Sequence, residues 1–209
     1  MVVAALVMAG GKATRMQSNT EKPLIRINNK PMIQLVIEAL RQTPSINRIV
    51  VAVGPGTQQT AHAVTALGVE VVNTAGNGYK PDMQEAIRSL GLGDVVVVSA
   101  DLPFLSPKIV ELAIEKYRSS KKPALMVAAS EELFKRFDME PSYVFMKDDC
   151  KLVPVGLNIV NGKRIDEPVL DEIVFVSEND DLVYNVNRQR DLEIARKHAA
   201  KASNGDRNA

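Results

Sequence analysis

Four consecutive valines at positions 95–98 constrain the fold more than any other stretch of the chain. Successive side chains of a strand point to opposite faces of the sheet, so an unbroken valine run needs both faces covered. Strands of this kind occur in parallel sheets that lie between layers of helices. The sequence therefore predicts an α/β fold with a mostly parallel central sheet.

Short apolar runs alternate with amphipathic segments through the first two thirds of the chain. Strands are predicted at 2–8, 49–53, 69–72, 95–98 and 124–128, and helices at 32–41, 57–67, 81–90 and 107–117. This alternation is typical of a parallel sheet with helices on both faces. Beyond residue 130 the pattern is irregular, with strands predicted at 143–146, 152–160, 173–176 and 183–186 and a last helix at 188–202.

The length of 209 residues and the hydrophobic fraction of 45% are ordinary for one globular domain. We expect that domain to cover residues 1–201 and the small, polar residues 202–209 to be disordered. The single cysteine, Cys150, excludes an internal disulfide and fits a reducing compartment. The apolar opening run is too short to span a bilayer, and no basic segment precedes it, so we expect a cytoplasmic protein.

Positive and negative charges are nearly equal in number over the whole chain, but they are unevenly distributed along the sequence. The formal net charge is +1, from 26 basic and 25 acidic residues, which argues against nucleic acid or anionic lipid as a partner. Residues 1–30 nevertheless carry five cations and one acid: Lys12, Arg15, Lys22, Arg26, Lys30 and Glu21. A local excess of positive charge therefore accompanies the first predicted strand.

Two glycines directly follow that first strand. Gly10 and Gly11 stand where ligands of open α/β sheets collect, at the carboxyl end of a strand. Glycine lets the backbone approach a ligand closely, so that N–H groups can form a nest for an anion. Arg15 and Lys22 add positive charge within reach of a triphosphate. The segment therefore predicts a loop that binds the phosphates of a nucleotide.

Two better-known phosphate loops do not match this segment. A Walker loop requires a glycine five positions before the Gly-Lys pair, where Leu6 stands. The dinucleotide fingerprint requires a third glycine, and none follows Gly10 and Gly11 at the later spacing. The remaining alternative is a tight turn followed by a solvated lysine and arginine, which the local residues leave open.

Asp101 follows the valine run and so stands at the carboxyl end of the most buried strand. Mg²⁺ prefers one or two carboxylates together with phosphate oxygens and waters, so a carboxylate here predicts a metal that polarises the α-phosphate. The alternative is a helix cap before the helix at 107–117, although Ser106 is better placed for it. We favour the metal site because of the position at the strand end.

Weaker signals lie elsewhere in the chain. Asn185 and Asn187 alternate in the strand predicted at 183–186 and its continuation, so both side chains can face one cleft. Each alone is more often a turn or capping residue. His62 and His198 lie on predicted helices and are interpreted as structural or surface residues, and Cys150 as having no role.

Taken together, these segments resemble a known family. AGGKATRM (9–16) followed by EKPLI (21–25) resembles the signature of nucleotidyltransferases related to the molybdenum-cofactor guanylyltransferase. Later segments resemble the archaeal adenosylcobinamide-phosphate guanylyltransferases: NTAGNGYKPDMQEAI (73–87), VSADLPFL (98–105), KLVPVGLNIV (151–160) and LDEIVFVSENDDLVYNVNRQRDLEIA (170–195). The resemblance extends in order over residues 3–196.

The resemblance implies a Rossmann-like, three-layer α/β/α domain and a set of site residues. Catalysis is expected from Arg15, Lys22 and Asp101, with Asp101 at the metal position. Nucleotide binding is expected at Leu6, Ala9, Gly10, Gly11, Lys12, Thr74, Gly76, Asn77, Gly78, Gly156 and Asn187. Thr74 to Gly78 occupy the loop expected near guanine, and Gly156 the segment expected near the acceptor. Arg188 replaces the threonine of the family's Asn-x-Asn-Thr element, which departs from the pattern beside Asn187.

The resemblance also implies a reaction. GTP and adenosylcobinamide phosphate would give adenosylcobinamide-GDP and pyrophosphate, with Mg²⁺ as the metal, and a homodimer is compatible with it. Two other hypotheses compete with this one. The first keeps the fold but uses another acceptor, such as molybdopterin or a sugar phosphate. The second is a non-catalytic nucleotide-binding domain, which a glycine-rich loop alone does not exclude.

Overall fold

The computed structural model describes residues 3–11, 16 and 20–205, the side chains of 202–205 excepted. The described strands are β1 (Val3–Met8), β2 (Arg26–Ile27), β3 (Lys30–Pro31), β4 (Ile46–Val53), β5 (Glu70–Asn73), β6 (Asp94–Ser99), β7 (Ala124–Ser130), β8 (Phe145–Lys147), β9 (Cys150–Asn161) and β10 (Glu172–Val176). The helices are α1 (Met32–Arg41), α2 (Gln58–Ala66), α3 (Tyr79–Ser89), α4 (Pro107–Ser120), α5 (Glu131–Arg136) and α6 (Gln189–Gly205).

One sheet of eight strands joins both halves of the chain. Its order is β10-β7-β9-β6-β1-β4-β5, with β8 paired to β9. Strand β9 is antiparallel to β6, β7 and β8, and the other neighbours are parallel. At the centre, β1 pairs with β6 in the register that sets Leu6 opposite Val97. The predicted mostly parallel sheet is confirmed.

The valine run shows why this sheet needs two layers of helices. Val96 and Val98 pack into the core formed with α1, α2, α4 and α5, whereas Val95 and Val97 pack into the core formed with α3. All four side chains are fully buried. The α/β/α layering predicted for the chain is therefore confirmed, and the valines are what make both layers necessary.

Most of the predicted elements are present with shifted ends, but one is wrong. The segment predicted as a strand at 183–186 is a 3-10 helix, Asp180–Val183, followed by irregular backbone. The side chain of Asn179 accepts a hydrogen bond from the N–H of Asp181 at 2.9 Å and so begins the turn. Local capping outweighs the apolar alternation that suggested a strand.

A hairpin of two short strands and one short helix were not predicted. Strands β2 and β3 form a separate hairpin whose two turn residues, Asn28 and Asn29, both have positive φ. That is the conformation of a type I′ turn, which asparagine tolerates. Helix α5 begins where the hydroxyl of Ser130 accepts a hydrogen bond from the N–H of Leu133 at 3.1 Å. Both were missed because their apolar runs are too short to show a period.

The last helix, α6, continues to Gly205, three residues beyond its predicted end. It packs through Leu192, Ala195 and Ala199 on the hairpin residue Ile27. The rest of the predicted tail, 206–209, lies outside the described residues, so the domain boundary and the disordered tail stay predictions. Over the ranges given above, every helix is too short or too polar to cross a membrane.

Candidate active site

A cleft of about 540 Å³ opens at the edge of the sheet where β1, β4, β5 and β6 end. Ligand pockets in proteins commonly have volumes of this order, and they lie at this edge of open α/β sheets. Predicted site residues on its wall are Ala9, Gly10, Gly11, Lys22, Gly76, Asn77, Gly78 and Asp101. The structure therefore brings together residues that the sequence places in four separate segments.

Three glycines hold the loops of this cleft in backbone contact. A Cβ atom at Gly10 would lie 3.2 Å from the amide nitrogen of Gly54, and one at Gly54 would lie 3.7 Å from Cα of Gly76. Gly76 also has a φ of +75°, and its Cβ would lie 2.9 Å from Cδ of Pro55. Larger side chains would force the loops after β1, β4 and β5 apart. Gly54 was not among the predicted site residues.

Lys22 and Asp101 form an ion pair at the edge of the cleft. Their side chains are 17% and 11% exposed, so solvent screens the pair only weakly. The ammonium of Lys22 also donates to Oδ1 of Asn187 at 2.9 Å, and the hydroxyl of Ser99 donates to Oδ1 of Asp101 at 2.5 Å. The two predicted catalytic residues that the structure describes are thus in direct contact.

The asparagine segment reaches the same network without being a strand. The side-chain amide of Asn187 donates to Oδ1 of Asn185 at 2.7 Å, so Asn185 joins the Lys22 network through Asn187. The carboxylate of Asp191 accepts the N–H groups of Asn187 and Arg188, each at 2.8 Å. This cap at the beginning of α6 fixes the backbone that carries Asn187.

Glu21 connects the loop before Lys22 to the scaffold, and sequence reasoning missed it. Its carboxylate accepts the N–H groups of Gln59 at 2.9 Å and Thr60 at 2.6 Å, and the hydroxyl of Thr60 at 2.6 Å. These are unpaired donors at the beginning of α2, where a negative charge is favourable. The sequence did offer one signal for such a contact. Helix α2 begins two residues after the Gly-Pro-Gly turn and has no acidic residue in its first turn, so its N–H groups need an acceptor from elsewhere in the chain.

Tyr79 is a second residue that the sequence did not single out. It lines the cleft. Burial of the hydroxyl end raises the pKa of Tyr79 to about 12, and the negative charge of Asp101 acts in the same direction. The residue as a whole is 48% exposed. The phenol therefore stays neutral at the cleft wall.

Several predicted residues lie away from the cleft. Leu6 is fully buried in the core beneath α3, because it lies in mid-strand between β4 and β6. Thr74 is also buried, and its hydroxyl donates to the carbonyl of Val53 at 3.1 Å. Both side chains stabilise the scaffold and neither lines the cleft, and the expected nucleotide contacts of these two residues stay predictions. Lys12 and Arg15 lie outside the described residues.

Gly156 lies in β9, beside the network rather than in the cleft wall. Its φ is +86°, and a Cβ atom there would lie 3.1 Å from Cβ of Ser99 and 3.6 Å from Nδ2 of Asn185.

The histidines and the cysteine are placed as expected. His62 and Cys150 are exposed, and His198 stacks on Tyr184 at 4.2 Å.

The residues at the strand ends fit a magnesium ion that is held jointly with a substrate. Among the residues described, no group of three or more His, Cys, Asp and Glu side chains is arranged as a complete metal site. Mg²⁺ commonly uses one or two carboxylates and takes its other ligands from phosphates and water. Asp101 supplies one such carboxylate at the cleft, so the donor set matches a metal bound together with a nucleotide.

A family model for the MobA-like NTP transferase domain matches residues 5–169. The chain belongs to this family. It is therefore a nucleotidyltransferase, and the cleft lies within the matched region. The predicted family and enzyme class are confirmed, which removes the non-catalytic hypothesis.

Curated relatives of this MobA-like NTP transferase include two archaeal guanylyltransferases. An adenosylcobinamide-phosphate guanylyltransferase from Methanocaldococcus jannaschii is 32% identical over 201 residues, which cover 91% of this chain and 94% of the relative. A probable molybdenum cofactor guanylyltransferase from Pyrococcus horikoshii is 28% identical over 204 residues, covering 93% and 99%. Both alignments include the irregular second half.

Solved structures share the fold of this MobA-like NTP transferase at low sequence identity. CMP:2-keto-3-deoxy-manno-octonic acid synthetase in complex with CTP superposes with a TM-score of 0.70 at 16% identity, covering 96% of this chain and 99% of the other. Molybdopterin-guanine dinucleotide biosynthesis protein A from Archaeoglobus fulgidus gives 0.65 at 18%, covering 95% and 99%. These similarities support the fold alone.

Proposed function

We propose that this nucleotidyltransferase transfers GMP from GTP to adenosylcobinamide phosphate and releases pyrophosphate. The observation that carries the proposal is the 32% identity to the Methanocaldococcus relative over nearly the full length of both chains. That alignment covers the nucleotide cleft and also β9 and the segment up to α6. A relative that shared only the nucleotide half would support the donor but not the acceptor.

The cleft suits the polyphosphate of the donor. Gly10 and Gly11 follow β1 with their backbone at the cleft surface, and Lys22 adds a positive charge on the same wall. Backbone N–H groups and an ammonium group are the donors that phosphate oxygens require. In this proposal the triphosphate lies along the glycine loop, with its α-phosphorus toward Lys22 and Asp101.

The chemistry at that phosphorus needs little proton transfer. An acceptor phosphate is already ionised near neutral pH, so one of its oxygens attacks the α-phosphorus in line with the departing pyrophosphate. Negative charge accumulates on the transferred group and on the leaving group. Catalysis therefore consists of positioning and electrostatic stabilisation. Lys22, held by Asp101 and Asn187, is the preorganised cation at this point.

In the same proposal, Asp101 is the protein ligand of Mg²⁺. A divalent cation supplies neutralisation of phosphate charge and polarisation of the P–O bonds when it is bound. Ser99 holds one oxygen of the carboxylate, and the N–H of Val186 donates to the backbone carbonyl of Asp101 at 3.1 Å. Both contacts fix the carboxylate at the end of β6.

A molybdopterin-type acceptor is the second candidate, because the Pyrococcus relative also aligns over almost all of both chains. The two candidates share the donor and differ in the acceptor alone. The irregular second half of the chain, which includes β8 and β9, is where we expect the acceptor to be selected.

The test measures pyrophosphate release from GTP with each acceptor in turn. We expect release with adenosylcobinamide phosphate and none above background with molybdopterin or a hexose 1-phosphate. Thermal stabilisation by GTP, ATP, CTP and UTP is measured in parallel, because a ligand at 100 times its Kd adds about 2.7 kcal/mol. Turnover with molybdopterin alone would replace the proposed acceptor. Equal stabilisation by all four nucleotides would remove guanine as the base.

A further inference from the structure

A carboxylate lies on the wall of the cleft away from the catalytic pair. Asp82, in the first turn of α3, lines the cleft and is only 5% exposed. Its Oδ1 atom accepts the N–H of Asn77 at 2.9 Å, which folds the loop before α3 back onto the helix. Oxygen acceptors of a carboxylate have room for further donors after one such bond.

This carboxylate is buried without a partner cation. Within the ranges that the structure describes, the ion pairs include no lysine, arginine or histidine partner for Asp82. Burying a charge costs free energy unless hydrogen-bond donors or counter-charges compensate it. The N–H of Asn77 and the position of Asp82 in the first turn of α3 compensate part of this cost, and a bound group that brings further N–H donors would add to that compensation.

The position of Asp82 in the cleft indicates which part of a nucleotide it faces. The proposed phosphate site is at Gly10, Gly11 and Lys22, on the loops after β1 and before α1. The loop after β5 forms another part of the wall, and Asp82, which accepts the N–H of Asn77 in that loop, lines the cleft beside it. A nucleotide whose phosphates occupy the glycine loop turns its base toward a different part of the wall.

We propose that Asp82 selects guanine by accepting hydrogen bonds from the Watson–Crick edge of the base. Guanine offers adjacent N–H donors at N1 and at the 2-amino group, which match the two oxygens of a carboxylate. Adenine has an unprotonated N1 at that edge, which a carboxylate repels. Asp82 is thus a specificity-determining residue. The inference rests on the proposed function, because it presupposes that GTP is the donor.

A second interpretation of Asp82 is a contact with the ribose hydroxyls. That contact is common to all ribonucleotides, so it would not distinguish one base from another. Inosine triphosphate separates the two interpretations, since it keeps the ribose and N1–H of GTP but lacks the 2-amino group. Binding measurements are preferred to turnover, because they need no acceptor and do not depend on the acceptor assignment.

The test compares the Kd of GTP, inosine triphosphate, ATP and inorganic tripolyphosphate by calorimetry. The variants are the wild type, Asp82→Asn and Glu85→Gln. Asparagine keeps an oxygen for the N–H of Asn77, so the loop is retained while the charge is removed. Glu85→Gln is the matched control: it removes a charge from the same helix at a residue that accepts the N–H of Ala75 but does not line the cleft.

We expect the wild type to prefer GTP over inosine triphosphate by roughly tenfold to a hundredfold, the range for a hydrogen bond to a charged group. Asp82→Asn should reduce that ratio to within about threefold and leave the Kd of tripolyphosphate unchanged, whereas Glu85→Gln should keep the wild-type ratio. A wild-type ratio retained in Asp82→Asn overturns the inference. So does equal weakening of GTP, inosine triphosphate and ATP, which indicates the ribose. Equal binding of GTP and inosine triphosphate by the wild type overturns the inference alone. Equal binding of GTP and ATP by the wild type removes the proposed donor and the inference with it.

Discussion

Lys22 and Asp101, 79 positions apart in the chain, form an ion pair just beyond the carboxyl end of β6. Neither side chain reaches bulk water freely, and each has a second partner, Asn187 for the lysine and Ser99 for the aspartate. The pair therefore presents an oriented cation and an oriented carboxylate to one cleft. Such preorganised charges are what a reaction between two anions requires.

Lys22→Ala is expected to lower kcat, because it removes about 2–4 kcal/mol of transition-state stabilisation, the scale for losing one preorganised donor. The measurement is pyrophosphate release at saturating GTP and acceptor. Lys30→Ala is the matched control, because Lys30 forms an exposed ion pair with Glu38 outside the cleft. A loss of less than threefold in Lys22→Ala would reject the catalytic role of this lysine.

Asp101→Asn is expected to abolish the response of turnover to Mg²⁺ while the fold survives, because the amide keeps the shape of the side chain but not its charge. Turnover is measured across a magnesium titration, and folding by thermal denaturation. Asp94→Asn is the control: it removes a carboxylate from the opposite end of β6, where Asp94 accepts the hydroxyl of Tyr117. The same magnesium response in Asp101→Asn and the wild type would show that Asp101 is not a metal ligand.

Glu21→Ala is expected to reduce both the stability of the protein and kcat. The carboxylate satisfies unpaired donors of α2, and its loss costs about 1–2 kcal/mol of unfolding free energy, as for other helix caps. The substitution also frees the backbone next to Lys22 from its anchor on α2. We therefore expect kcat to fall by more than the loss of unfolding free energy explains.

Ser130→Ala provides the comparison for Glu21→Ala. It removes a cap from α5 of similar type but does not adjoin a cleft residue. We expect it to lower the denaturation midpoint and leave kcat unchanged. The ratio of the loss of kcat to the loss of stability is compared between the two variants. An equal ratio in both would show that Glu21 acts on the fold alone and does not position Lys22.

Tyr117→Phe tests a buried hydrogen bond in the core and its pH dependence. The hydroxyl donates to Oδ1 of Asp94 at 2.8 Å, and burial together with that carboxylate raises the pKa of Tyr117 above its ordinary value of 10.0. The folded state thus keeps a proton that the unfolded chain releases above pH 10, so stability is full below pH 10 and falls as the pH rises beyond it.

In denaturation experiments at pH 7, Tyr117→Phe should cost about 1–3 kcal/mol, because it leaves Asp94 without its donor. Between pH 10 and 12 its stability should fall less steeply than that of the wild type. Tyr143→Phe, at a side chain that is 64% exposed, should follow the wild-type curve. Parallel curves for Tyr117→Phe and the wild type above pH 10 would contradict the assignment.

The sequence by itself determined the sheet and the edge at which the cleft lies. Four buried valines admit only a strand covered on both faces, and the glycines and Asp101 that follow strands β1 and β6 fall at the same edge whatever the details of packing. The motif segments also indicated the family. These conclusions hold because periodicity and strand ends are local properties of the chain.

Only the tertiary structure decided which side chains meet. Leu6 was expected at the nucleotide but is buried in mid-strand, whereas Asp82, on a helix that carried no predicted site residue, lines the cleft. Glu21 became significant only when α2 placed its free N–H groups against it. Contacts between residues far apart in sequence depend on how layers pack, and packing leaves no period in the sequence from which such contacts can be predicted.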